Sequence, residues 1–322
     1  MVTLMRPLAW LALAALAALT LSVALGSVLL SPGEILAALR GQGSPLSETL
    51  ILDLRLPRTL SAFAVGGLLA VAGALMQVLL RNPLADPYVL GLSGGASVGA
   101  LAAMLAGVGG ALVSGSAFAG ALLSTLLVFG LAHGPGGWTP SRLLLTGVVV
   151  AAGWGAVITL MLAVTPADRL PGMLYWLMGD LSYSRTPWPP LLLLLAVCLL
   201  VVPLGRSLNV LARGPLQAAA LGVPVRRLEW GIYLAASGLT AMAVTTAGSI
   251  GFVGLVVPHM LRLVLGNDQR LILPACALAG GTLLVLADTL ARTAIAPEQL
   301  PVGVITALLG VPTFLYLLYR SQ

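Results

Sequence analysis

The residues in this chain that could do chemistry are few, and most lack the companions that chemistry needs. Ser93 lies in "GLSGG" (91–95), which satisfies the G-x-S-x-G pattern of a hydrolase nucleophile. That pattern works on a strand–turn–helix elbow with a histidine facing the serine. Ser93 instead sits in a Gly-rich apolar stretch, and no spacing links it to His133 or His259, the two histidines present. Asp288 is the acid within a late apolar run, and Arg292 follows four residues later. An i, i+4 ion pair is the plain reading of that spacing, and no chain of acids or histidines extends it into a proton relay. Cys198 and Cys276 both stand inside apolar runs and imply neither a disulfide framework nor a metal site. All sixteen basic residues are arginine. A phosphate-binding loop of the G-x-x-x-x-G-K-[ST] type needs a lysine, so any ATP that drives this protein is hydrolysed by another chain.

The elements around these residues belong to a membrane. Of the 322 residues, 59% are hydrophobic and 8% charged, and the mean hydropathy is +1.06. A soluble domain carries about 25% charged residues. Apolar runs recur at helix-plus-loop spacing from end to end, which predicts an all-α polytopic membrane protein forming a single domain over 1–322. The net charge of +6 fits basic loops at the cytoplasmic membrane face and not a nucleic-acid partner. The run from Leu8 to Leu30 is longer than the apolar region of a signal peptide, and no polar mature domain follows, so it reads as a first transmembrane helix.

About ten spans are expected, near 8–30, 59–80, 89–108, 113–132, 142–164, 190–207, 229–249, 252–266, 271–293 and 300–319. A cytoplasmic N-terminus places Arg6, Arg81, Arg142, Arg206, Arg213, Arg226, Arg227, Arg262, Arg270 and Arg320 inside. Arg40, Arg55, Arg58, Arg169, Arg185 and Arg292 then lie outside, and the excess inside supports this orientation with both termini cytoplasmic. Four spans in 59–164 and four in 229–319, each set preceded by one more, give halves that enter from opposite sides, as in an inverted repeat. "GLSGGASVGA" (91–100) holds the spacings Gly91–Gly95 and Gly95–Gly99, which let helices approach closely in lipid.

Two outer loops carry helix signals. Ser31-Pro32-Gly33-Glu34 offers an N-cap, a proline at the first helical position and an acid in the first turn. "RLPGMLYWLMGDLS" (169–182) has the composition of an interfacial helix. Arg55 and Arg58 in "LRLPRTL", and Arg292, stand at outer span ends. They could snorkel to lipid headgroups or form a positive patch for an acidic partner. On the inner side, "LARGPLQAAALGVPVRRLEW" (211–230) interrupts the apolar pattern. Gly214-Pro215 starts a short helix, Gly222 is placed to end it, and Pro224 prevents its continuation.

Three long stretches carry a resemblance. "LRLPRTLSAFAVGGLLAVAGALMQVLLRNPLADPYVLGLSGGASVGA" (54–100), "SIGFVGLVVPHMLRLVLGNDQRLILPACALAGG" (249–281) and "LADTLARTAIAPEQLPVGVITALLGVPTF" (286–314) are similar to the permease family of bacterial iron-chelate and vitamin B12 importers. The resemblance implies ten helices per subunit and a homodimer with the pore at its interface. It implies two copies of a separate ATPase, which use ATP and Mg, a periplasmic substrate-binding protein, and no cofactor on this chain. The place would be the bacterial inner membrane, and the cargo a ferric siderophore, haem or cobalamin moved by alternating access. A secondary transporter without an ATPase is the alternative from another class.

The resemblance also implies site residues. The loop at about 209–228 would insert two short helices into the ATPase, with Arg213, Gly214, Pro215, Gln217, Ala220, Leu221, Gly222, Val223 and Pro224 as the coupling residues. Arg55, Arg58 and Arg292 match the residues that dock the binding protein. The family's cytoplasmic gate is a polar pair matching Pro140 and Ser141. Pro140 departs from the hydroxyl residue of that pair, which brings in Thr139.

Overall fold

The computed structural model describes residues 2–26, 28, 30–134, 139–182 and 184–320. Every regular element longer than an isolated bridge among them is helical. In chain order these are α1 (Val2–Ala24), α2 (Pro32–Leu39), α3 (Pro45–Glu48), α4 (Leu56–Leu79), α5 (Leu92–Leu105), α6 (Ala111–Ala132), α7 (Pro140–Ala163) and α8 (Leu170–Leu177). There follow α9 (Trp188–Val201), α10 (Gly205–Leu211), α11 (Pro215–Ala220), α12 (Val225–Ala247), α13 (Val253–Leu265), α14 (Gln269–Thr293) and α15 (Val302–Arg320). A π-helical stretch, Thr49–Arg55, runs directly into α4, and a 3₁₀ turn, Pro87–Leu90, precedes α5.

Ten of these helices coincide with the ten expected spans. Six spans reach membrane length and apolarity on composition alone, one of them α9 continued through α10, while α5, α13 and α15 are shorter apolar helices. α12 is the tenth, and its inner end carries Arg226, Arg227 and Glu229. The first helix ends at Ala24, several residues before the expected limit at Leu30. The carbonyls left free at that early end accept hydrogen bonds from arginines, described below.

The bundle is built around α4, whose residues from Ser61 to Leu79 are buried apart from Phe63. It contacts α14, α12, α13, α9 and α1. Because lipid tails are as apolar as leucine, close backbone approach and not hydrophobic transfer drives this packing. A Cβ added at Gly66 would collide with the Gly280 carbonyl of α14, and one at Gly73 with the Gly254 carbonyl of α13. The Gly95–Gly99 spacing does the same for α5 against α6, meeting the Gly120 and Ser116 carbonyls. Gly91 has a separate task, since it enters α5 at φ +69.

The outer helices follow their sequence signals. Ser31 caps α2 with a capping box: the Ser31 N–H donates to Glu34 Oε2 at 2.7 Å, and the Glu34 N–H donates to Ser31 Oγ at 3.3 Å. These contacts hold the exposed Glu34 carboxyl below its ordinary pKa. The expected interfacial helix is α8. Ser93 lies inside α5, without the strand that a nucleophile elbow requires.

Candidate functional site

Three regions hold the residues singled out by the sequence: the N-terminal end of α4 with the C-terminal end of α14, expected outside, and the start of α7 and the connection from α9 to α12, both expected inside.

At the outer end, Arg55, Arg58 and Arg292 are not surface residues. They are 6%, 9% and 6% exposed, and Asp288 is 0% exposed. Arg58 places its guanidinium edge on Asp288, with Nε 3.0 Å from Oδ2 and Nη2 2.8 Å from Oδ1. Its Nη1 donates to Gln299 Oε1 at 2.7 Å and to Ser182 Oγ at 3.2 Å. Arg292 forms the expected i, i+4 pair, with Nε 3.3 Å from Asp288 Oδ2. That nitrogen lacks hydrogen-bond alignment, so the contact is coulombic. Its Nη2 donates to the Ser22 carbonyl and to Ser22 Oγ, both at 2.8 Å. Arg55 donates to the carbonyls of Val23 and Ala24 at 3.1 Å and to that of Val28.

Two arginines thus meet the free carbonyls at the end of α1, where a helix carries its partial negative charge. The third is spent on a carboxylate, with its remaining donors on Gln299 and Ser182. The exposed positive patch drawn from the sequence is therefore corrected. The side chains point into the fold because one acid and a helix C-terminus compensate them there, and a charge at this depth is tolerated only when so paired. Pairing between Arg58 and Asp288, 230 residues apart, left no trace in local spacing. The signal available was an acid inside an apolar run.

At the inner start of α7, Thr139 is the N-cap and accepts from the Arg142 N–H at 3.3 Å. Pro140 is the first helical residue, and Ser141 follows it exposed. A proline suits this position because its missing N–H would have no helical partner there. Much of the lipid-length helix that follows is uncovered, including Leu145, Val149 and Leu160 at 65%, 70% and 65% exposure.

The inner connection is two short helices, α10 and α11. α11 ends in a paired cap: the Gly222 N–H donates to the Ala219 carbonyl and the Val223 N–H to the Ala218 carbonyl, both at 3.0 Å. Gly222 has φ +78 and follows the cap residue Leu221, so this is a Schellman motif with glycine just past the cap. Ala218 is buried under the knob. Arg213, Gln217, Ala220 and Gly222 are exposed, while Leu216 and Leu221 stand 86% and 72% exposed. Two leucines so exposed beside arginines form an apolar tip on this connection.

A polar staple anchors this knob. The Asn209 amide of α10 donates to Asp268 Oδ1 at 2.9 Å, and Asn209 Oδ1 accepts from the Gln269 N–H at 2.8 Å. Arg270 pairs with Asp268 at 2.6 Å. Hydrogen bonds from Arg270 first, then Asn209, hold the Asp268 carboxyl well below the usual carboxylate range. On the same side, the Asp86 carboxylate accepts from the Tyr88 N–H at 2.7 Å. Burial outweighs that bond and pushes its pKa up to about 6.

Among the described residues no group of three or more His, Cys, Asp or Glu is placed to hold a metal ion.

The sequence profile of the FecCD transport family matches residues 13–320. An uncharacterised ABC transporter permease protein, YvrB of Bacillus subtilis (strain 168), is 43% identical over 293 residues, covering 88% of this chain and 82% of that protein. The vitamin B12 import system permease protein BtuC of Escherichia coli O139:H28 is 41% identical over 314 residues, covering 95% and 92%. A solved inward-facing chain of an ABC transporter assigned to the metal-chelate type superposes with a TM-score of 0.86 at 29% identity, covering 98% of this chain and 99% of that one. A chain of PsaBC from Streptococcus pneumoniae shares the fold more distantly, with a TM-score of 0.55 at 16% identity.

Proposed function

The chain belongs to the FecCD transport family, and on that premise we propose that this ABC importer permease moves a metal chelate inward across the bacterial inner membrane. Two copies enclose the path, each seated on a separate ATPase that consumes ATP and Mg, and a periplasmic binding protein delivers the cargo. The observation that carries this reading is the knob at 213–224. It is short, glycine-capped, tipped with exposed leucines, and continuous with α10, which Asn209 staples to the start of α14. Such a body transmits a displacement of the ATPase to the membrane helices, where a slack loop would absorb it.

α7 is the natural partner face for the second copy, because its apolar residues lack cover within one chain. Thr139, Pro140 and Ser141 then lie at the inner mouth of the path and form its gate. The binding protein meets the outer face made by α2, α3 and α8. Arg55, Arg58 and Arg292 serve that face by fixing the positions of α1, α4, α14 and the loops that carry Ser182 and Gln299.

The 41% identity to a vitamin B12 permease supports cobalamin among the chelates. Proteoliposomes containing the permease, its ATPase and its binding protein should take up one of cobalamin, haem or a ferric siderophore with ATP. Uptake without ATPase or binding protein would overturn the importer reading in favour of a secondary transporter.

A further inference from the structure

A groove of about 400 Å³ opens between α9 and α12, and its chemistry is graded along its length. α9 runs inward and α12 outward, so Val197 and Ala235 form its deep end, with Val201 and Ile232 along its walls. Ser207 and Arg227 stand at its other end, on the cytoplasmic side where the arginines concentrate. The side chains from Arg227 to Ala235 span eight residues of helix, about 12 Å at 1.5 Å per residue. Half a bilayer's hydrocarbon core is roughly 15 Å. The groove therefore covers most of the inner leaflet, is apolar at depth, and finishes on a guanidinium at headgroup level.

Arg227 is exposed and has no carboxylate within ion-pair distance among the described residues. Arg206 and Arg226, both exposed, stand beside the same inner end in the sequence and add to its positive charge. Basic pockets between helices on the cytoplasmic side suit anionic headgroups, and a phosphate is the group that a guanidinium fork matches.

We propose that this groove binds one anionic phospholipid of the inner leaflet, with an acyl chain between α9 and α12 and its phosphate on Arg227. Val223 and Pro224 wall the groove at its inner end. The bound lipid thus touches the end of the knob itself. The site stands whether or not the knob couples to an ATPase, since every group in it belongs to this chain and to the membrane.

The test uses the purified full-length chain in detergent, mixed with equimolar phosphatidylglycerol and phosphatidylcholine and examined by native mass spectrometry. One phosphatidylglycerol should be retained in preference to phosphatidylcholine. Arg227→Gln should weaken retention about tenfold, the scale of one hydrogen bond to a charged group. Gly231→Leu gives a second, independent arm. A Cβ at Gly231 meets nothing within 4 Å, and leucine favours a helix over glycine, so this variant should fold and fill the groove. It should abolish selective retention. Arg6→Gln, elsewhere on the inner face, should leave retention unchanged. Equal retention of both lipids, or selective retention that survives Gly231→Leu, would overturn the proposal.

Discussion

Asp288 determines what the outer arginines can do. It is fully buried and receives Arg58 as a fork and Arg292 by charge. Removing it leaves two buried guanidiniums with one carboxylate fewer. Breaking a buried pair in this way costs about 3–5 kcal/mol. Asp288→Ala should therefore lower the thermal midpoint in detergent, read by labelling of the buried Cys276 thiol in a Cys198→Ala background. Arg58→Lys should fall between, because an ammonium keeps the charge but cannot reach Asp288, Gln299 and Ser182 together. An unchanged midpoint in Asp288→Ala would refute the buried network. Asp86 supplies a prediction in pH. Its folded pKa is raised to about 6 by burial, so the folded state binds the proton more tightly than the unfolded chain does. Its contribution is complete below the unfolded carboxylate value, about 4, and is lost as pH rises through about 6. Asp86→Asn removes that titration while keeping an acceptor for the Tyr88 N–H. The stability of the variant relative to the parent should rise between pH 5 and pH 7; a flat difference would show that the carboxylate is not buried at a cost.

Among the elements, α11 depends on one backbone angle. Gly222 at φ +78 occupies a conformation that costs a β-branched residue about 1–2 kcal/mol. Its Cβ position is open, so the penalty is conformational and not steric. Gly222→Val should leave insertion intact and unwind the last turn of α11. Stimulation of the partner ATPase by loaded binding protein should then drop severalfold. Stimulation equal to that of the parent would remove this knob as the coupling element. The contact of α4 with α13 makes the opposite demand. At Gly73 the Gly254 carbonyl occupies the place of a Cβ, so Gly73→Ala must push two central helices apart. Overpacking of this kind costs about 1–3 kcal/mol, and the same thiol-labelling assay should register it.

For the whole molecule, the proposed pairing of two copies rests on the uncovered length of α7. A single cysteine at Val149, 70% exposed, in a chain lacking Cys198 and Cys276, should crosslink to its copy in native membranes. The same substitution at Leu126, 71% exposed on α6, should not. Crosslinking through Leu126 in place of Val149 would move the interface from α7 to α6.

The spans and their order follow from hydropathy alone, because a helix in lipid must satisfy its own backbone and needs little from its neighbours. The short helices at 32–39, 170–177 and 215–220 were equally readable. Ser31, Pro32, Pro215 and Gly222 act within a few residues of themselves, so their signals are local. The destination of the long side chains was not readable. Arg55, Arg58 and Arg292 present the same local pattern whether they face an acidic partner, lipid headgroups or one another's helices. The choice was made by Asp288 from α14, by the early end of α1 that frees the carbonyls of Val23 and Ala24, and by Gln299 from a loop 241 residues away. Compensation of a buried charge requires groups that converge in space, and that convergence exists only once the bundle has closed around α4.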